Sequence, residues 1–146
     1  MDRLSVLIHQ YSPFHQIHLH QALNAQGVFD VRVTGDLTLA CAWLARDRPL
    51  DLLVVDHGIR FASGVQLLKR LAHARGARAV LFVGHPRGGQ RDLARQAQAL
   101  GLWVLAELDW PLSVRALAQQ LHTLRRAVPR AGWRCQQTVM ATSHAR

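Results

Sequence analysis

The stretch Leu50–Asp56, LDLLVVD, constrains the fold more than any other part of the chain. A strand with one face in water alternates apolar and polar residues, but Leu52 to Val55 is apolar without a break. Both faces of such a strand are buried, which is the condition of a parallel sheet covered by helices on each side. Four more short apolar runs share its rhythm: LSVLI from Leu4, FDVRV from Phe29, AVLFV from Ala79 and LWVLAEL from Leu102. Each of the five runs is followed by a segment of helical period, and the connections are short. The pattern predicts an α/β fold with a five-stranded parallel sheet and helices on both faces.

The helical segments can be placed by their apolar spacing and their breakers. PFHQIHLHQALNAQG puts Phe14, Ile17, His18 and Leu23 on one side and stops at Gly27. The second helix repeats Leu37, Ala40, Cys41, Leu44 and Ala45 behind an N-cap at Asp36 or Thr38. The third begins near Ser63, carries Val65, Leu68, Leu71 and Ala72, and ends near Gly76. QRDLARQAQALG is the fourth, and SVRALAQQLHTLRRA, with Val114, Leu117, Leu121, Leu124 and Val128 as its stripe, is the fifth. Residues 1–126 therefore read as one domain. The remainder, 127–146, has no sustained period and carries Pro129 and Gly132, which predicts a flexible tail too short for a second domain.

A chain of 146 residues is long enough for a real core, and none of its apolar runs approaches the roughly 20 residues of a membrane helix. The N-terminus reads as a strand and not as a signal peptide, so the expected location is cytoplasmic. Cys41 and Cys135 form no CxxC pair and read as free thiols, Cys41 as a packing residue. The formal charge of +9, from 18 basic and 9 acidic residues, favours acidic partners, nucleic acid included. The arginines are scattered, however, and Lys69 is the only lysine, so the charge by itself does not define a nucleic-acid site.

In an open parallel sheet the reactive edge lies beyond the carboxyl ends of the strands. Here that edge collects His9, Gln10, Tyr11 and Ser12, then Asp56 and His57, Gly84 and His85, and Asp109 and Trp110. The motifs VLI before SPF, RPLDLLVVD with GVQLLKRL, and the proline of DWPLS resemble the receiver domain of bacterial two-component response regulators over roughly residues 3–126. The resemblance implies the flavodoxin-like receiver fold, with strand order 2-1-3-4-5 and Asp56 at the phosphoacceptor position. It also implies that the acidic pair which binds Mg²⁺ is replaced by Gln10 and Tyr11. Gly84 stands where the family has Thr or Ser, and Trp110 where it has the lysine before the proline, although the spacing from Gly101 to Pro111 is about two residues longer than usual.

Those replacements bear on the chemistry. Mg²⁺ takes hard oxygen ligands, and Asp56 remains the only carboxylate of the set, so weak or absent Mg²⁺ binding and no cofactor are expected. Gly84 and Trp110 offer neither hydroxyl nor ammonium to a phosphoryl group. Arg60 or Arg87 could instead hold the Asp56 carboxylate in one state. A transition-metal cluster of His9, His57, His85 and Asp56, a metal motif at His15, His18 and His20, and an anion nest at GHPRGG all have weaker support. No nucleophile elbow is present, and Glu107, the single glutamate, has no evident partner carboxylate, so catalysis is not expected.

The sequence thus points to a degenerate receiver, or pseudo-receiver, acting in signal transduction or transcription control through contacts with a regulatory protein. The resemblance implies a homodimer or partner surface on the fourth helix, fifth strand and fifth helix, where Trp103, Trp110, Arg115, Arg125 and Arg126 are interface candidates. One alternative is a conventional phospho-switch at Asp56. Another is a basic nucleic-acid-binding accessory protein, for which Arg125, Arg126, Arg130 and Arg134 are the best phosphate contacts.

Overall fold

The computed structural model describes residues 3–86 and 92–127. Five strands alternate with five helices: β1 Ser5–His9, α1 Pro13–Ala25, β2 Asp30–Thr34, α2 Leu37–Leu44, β3 Leu50–Asp56, α3 Phe61–Ala74, β4 Ala77–Val83, α4 Leu93–Ala99, β5 Trp103–Leu108 and α5 Val114–Ala127. All strand pairs are parallel, and the order is β2-β1-β3-β4-β5. The unbroken apolar run of β3 lies at the centre of the sheet, and Leu52 to Val55 are at most 1% exposed. Alternate residues of the strands feed two cores. Val6, Ile8, Leu52, Val54, Leu81 and Val83 pack with Leu19 and Leu23 of α1 and Leu117, Leu121 and Leu124 of α5. On the other face Leu7, Leu53, Val55, Val80 and Phe82 pack with α2, α3 and α4.

Local sequence sets the helix ends. Ser12 and Asp36 accept backbone N–H groups at the starts of α1 and α2, and Asp92 does so at α4. α3 begins at Phe61, earlier than Ser63, and its N-cap Arg60 makes no side-chain capping bond. It ends through Arg75 in the left-handed region (φ 52°), followed by Gly76. A β-carbon on Gly76 would meet the Leu44 carbonyl oxygen at 2.1 Å, so only glycine fits that crossing.

Two helices place their apolar residues differently from the periodic reading. On α1 the inward pair is Leu19 and Leu23, four residues apart, whereas Phe14 and Ile17 are 71% and 58% exposed. At 100° per residue those two lie well over a quarter-turn away from Leu19, so a stripe drawn through residues 14, 17 and 23 mixes two faces. Val114, expected on the stripe of α5, is likewise exposed. In β5 the register with β4 slips between Val80 and Leu81, so Val80 faces Val104 and Leu81 faces Ala106. This bulge takes up one residue of the long Gly101–Pro111 stretch. Val128 and the predicted tail lie outside the described residues, apart from Ala127 at the end of α5.

Candidate functional site at the carboxyl edge

Asp56 ends β3 and is half-buried. Its Oδ1 accepts the backbone N–H of Gly58 at 2.9 Å, a local turn that fixes the carboxylate. The pairing of Asp56 with Val83 brings Gly84, the next residue, alongside. Gly84 has φ +87°, and a β-carbon there would lie 3.3 Å from Asp56 Oδ1 and 3.3 Å from Trp110 Cδ1. The positive φ favours glycine, and a β-carbon would press on both the carboxylate and the indole.

Trp110 occupies the other side of that space. It is joined to Pro111 by a cis peptide bond. Its indole stacks on His15 of α1, with centroids 4.1 Å apart and planes within 10°, and meets His18 edge-on at 5.6 Å. The indole N–H is buried without a hydrogen-bond partner among the described residues. Thus β4, β5 and α1 together place an aromatic plate, held by a histidine, beside the Asp56 carboxylate.

The β1–β3 register, which pairs His9 with Val55, puts Gln10 level with Asp56. Gln10 is 1% exposed. Its Oε1 accepts the Ser12 N–H at 3.2 Å and its carbonyl accepts the Gln16 side chain, so the amide fastens the start of α1. Tyr11 is half-exposed, its ring set edge-on to His9 at 5.1 Å. His9 is buried, and neither ring nitrogen has a hydrogen-bond partner among the described residues. Burial, the largest influence, holds its pKa below the ordinary histidine value, outweighing the Thr34 backbone and the Asp36 and Asp56 charges, which act to raise it.

These residues do not suit Mg²⁺, which takes hard, preferably anionic oxygen ligands. They offer one carboxylate, an amide oxygen already engaged by a backbone N–H, and a phenol turned against His9. Arg60 is exposed, and no ion pair joins it to Asp56 among the described residues. Arg87, the other proposed charge partner, and the second half of the GHPRGG segment lie outside the described residues.

The histidines of this edge do not converge. His85 is exposed at the rim and faces Asp109 at 3.5 Å. His57 turns to the opposite sheet face, where it is 1% exposed and stacks on Phe82 at 4.8 Å. Its Nε2 lies 2.7 Å from Glu107 Oε1 on β5 and 3.6 Å from Asp92 Oδ1 at the start of α4. Sequence reading missed this grouping, since the three residues are far apart in the chain. The available signal was an ionisable residue directly after a doubly buried strand, together with the only glutamate at the end of another.

Of the interface candidates, Trp103 is 37% exposed and Arg115 is exposed. Arg125 is committed within the molecule, its Nη2 donating to the Gln26 carbonyl at 3.0 Å and tying α5 to the end of α1. Cys41 is partly buried beside the α2–α3 core, which pushes its thiol pKa up, in keeping with a packing role.

The architecture is shared with proteins of known structure. A response regulator from Colwellia psychrerythraea superimposes with a TM-score of 0.68 at 17% identity, covering 87% of this chain and 100% of its own. This chain has the receiver fold. A pilus assembly-related protein from Burkholderia pseudomallei matches with a TM-score of 0.65 at 18% identity, covering 87% of this chain and 92% of its own. The receiver domain of a sensor histidine kinase from Pseudomonas aeruginosa, with a magnesium ion coordinated in its active-site cleft, matches at 0.63 and 15% identity, covering 86% and 97%. No protein-family model and no curated protein sequence matches the chain. Within this receiver fold, Asp56, Gly84 and Trp110 meet at the edge, and Gln10 stands level with them. None of the described helices is long and apolar enough to cross a membrane.

Proposed function

We propose that the chain is a signalling module whose phosphoacceptor site has been dismantled and which acts through protein contacts without phosphorylation. The observation that carries this reading is the interlock of Gly84 with Trp110. A receiver's hydroxyl and ammonium stabilise charge on a transferring phosphoryl group, whereas here a glycine at φ +87° and an indole stand beside Asp56. Gln10, in place of an acid, is used to anchor α1. The magnesium ion in the Pseudomonas neighbour marks what that cleft does when its ligands are complete. The Burkholderia neighbour, described as pilus assembly-related, extends the fold beyond proteins described as response regulators.

On this reading residues 1–126 are the module. Its partner, a second copy of the chain included, meets the α4–β5–α5 surface around Trp103 and Arg115. Incubation with Mg²⁺ and a small acyl phosphate, followed by intact-mass measurement, tests the proposal. The expected result is no phosphoryl adduct. Stoichiometric labelling that Asp56→Asn abolishes would restore the phospho-switch.

A further inference from the structure

We propose that His57, Asp92 and Glu107 form a site for one divalent transition-metal ion of borderline softness, with Zn²⁺ as the representative. The site is separate from the Asp56 edge and does not depend on how that edge is read. One donor atom from each residue lies within 4.8 Å of the others, and the three come from the β3–α3 connection, the start of α4 and the end of β5. Two donors bound to one Zn²⁺ sit at most about 4.2 Å apart, twice the bond length, and near 3.4 Å in a tetrahedron. The His57–Glu107 distance of 2.7 Å must open and the His57–Asp92 distance of 3.6 Å close slightly. The carboxylates can make these adjustments, because the Glu107 and Asp92 side chains are 50% and 40% exposed, while the imidazole is fixed against Phe82.

The state of the His57 ring adds a second, independent observation. With Nε2 engaged by Glu107, Nδ1 is buried without a hydrogen-bond partner among the described residues. An imidazole 1% exposed and held against Phe82 presents Nε2 to the two carboxylates as a fixed donor, and coordination there outweighs the cost of the unmatched Nδ1, which the ion does not itself relieve. When a cation binds, the ring is neutral with its proton on Nδ1, Nε2 gives its lone pair to the ion, and the short contact to Glu107 becomes a shared coordination. Asp92 keeps its role at α4, since Oδ1, which accepts the Ala94 N–H at 2.9 Å, is also the oxygen nearest His57 and has a second lone pair for the ion. An imidazole with two carboxylates selects zinc-like ions over Mg²⁺, which prefers oxygen alone. A bound ion would pin α4 to β5, two of the three elements of the proposed contact surface.

The test is a titration of the full chain with Zn²⁺, read by calorimetry and thermal unfolding, alongside Glu107→Gln and Asp92→Asn. Both variants keep the side-chain size, and Asn retains an oxygen for the α4 cap. The expected result is one equivalent of Zn²⁺ per chain, a raised melting temperature, and at least a tenfold weaker affinity in each variant. In the wild type, Co²⁺ should give visible absorption bands of a mixed nitrogen–oxygen site, and Glu107→Gln should lose them. No stoichiometric binding, equal binding by the variants through other histidines, or a preference for Mg²⁺ would each overturn the proposal.

Discussion

Asp56 and His57 are neighbours in the chain with opposite surroundings. Asp56, at the edge, has a backbone N–H, a glycine and an indole near it, and no described cation paired with it. His57, one residue on, is enclosed by Phe82 and held at a charge-assisted distance from Glu107. The alternation that ends a strand sends successive side chains to different faces, so one peptide unit separates an ionisable group with few partners from one with a dense set. The lesson is that the carboxyl edge of this fold has two sides with different chemistry, and the surroundings of one do not predict those of the other.

The comparison can be broken most forcefully from the His57 side. Phe82→Ala removes a fully buried ring that supports both the core and the imidazole, and should destabilise the protein by about 3–5 kcal/mol in urea unfolding. A loss under 1 kcal/mol would mean that the stack is not what positions His57. On the Asp56 side, Gly84→Thr should cost about 1–3 kcal/mol, since it forces a branched residue to positive φ and against Trp110. Combining it with Trp110→Ala should recover part of that loss, and strict additivity of the two would show that Gly84 and Trp110 are not interlocked.

A smaller effect separates His9 from its surroundings. Its pKa is lowered in the folded state, so between that value and the unfolded value of about 6.5 the unfolded chain binds more protons. The contribution of His9 is therefore fully present above about pH 6.5 and declines as the pH falls toward the folded pKa, by at most about 1.4 kcal/mol per pH unit. His9→Leu should flatten that acid limb. An unchanged pH profile would assign the acid sensitivity to other groups. The smallest expected effect is that of Arg60→Ala, an exposed residue for which no ion pair to Asp56 is found among the described residues, which should change stability by no more than about 0.5 kcal/mol. A larger loss that Asp56→Asn cancels would establish the pair after all.

The order of strands and helices was legible because each element carries its own period. LDLLVVD declares a doubly covered strand, Asp36 a helix start, and Gly76 the neighbourhood in which α3 ends. The residues of the edge were legible for the same reason, since they follow the strands and a parallel sheet delivers all its strand ends to one side. Helix faces were less secure: on α1 the apolar residues outnumber the positions that the core can take, and Phe14 and Ile17 stay outside. The sequence by itself determined an alternating β/α chain with Asp56 at a strand tip and Gln10, Gly84 and Trp110 at the ends of its neighbours. Only the tertiary structure decided that Trp110 closes on Gly84, that Arg125 is spent on the Gln26 carbonyl, and that His57 meets Asp92 and Glu107. Those meetings join residues as many as 99 positions apart, and such distances are set by sheet register and helix packing, which no local pattern encodes.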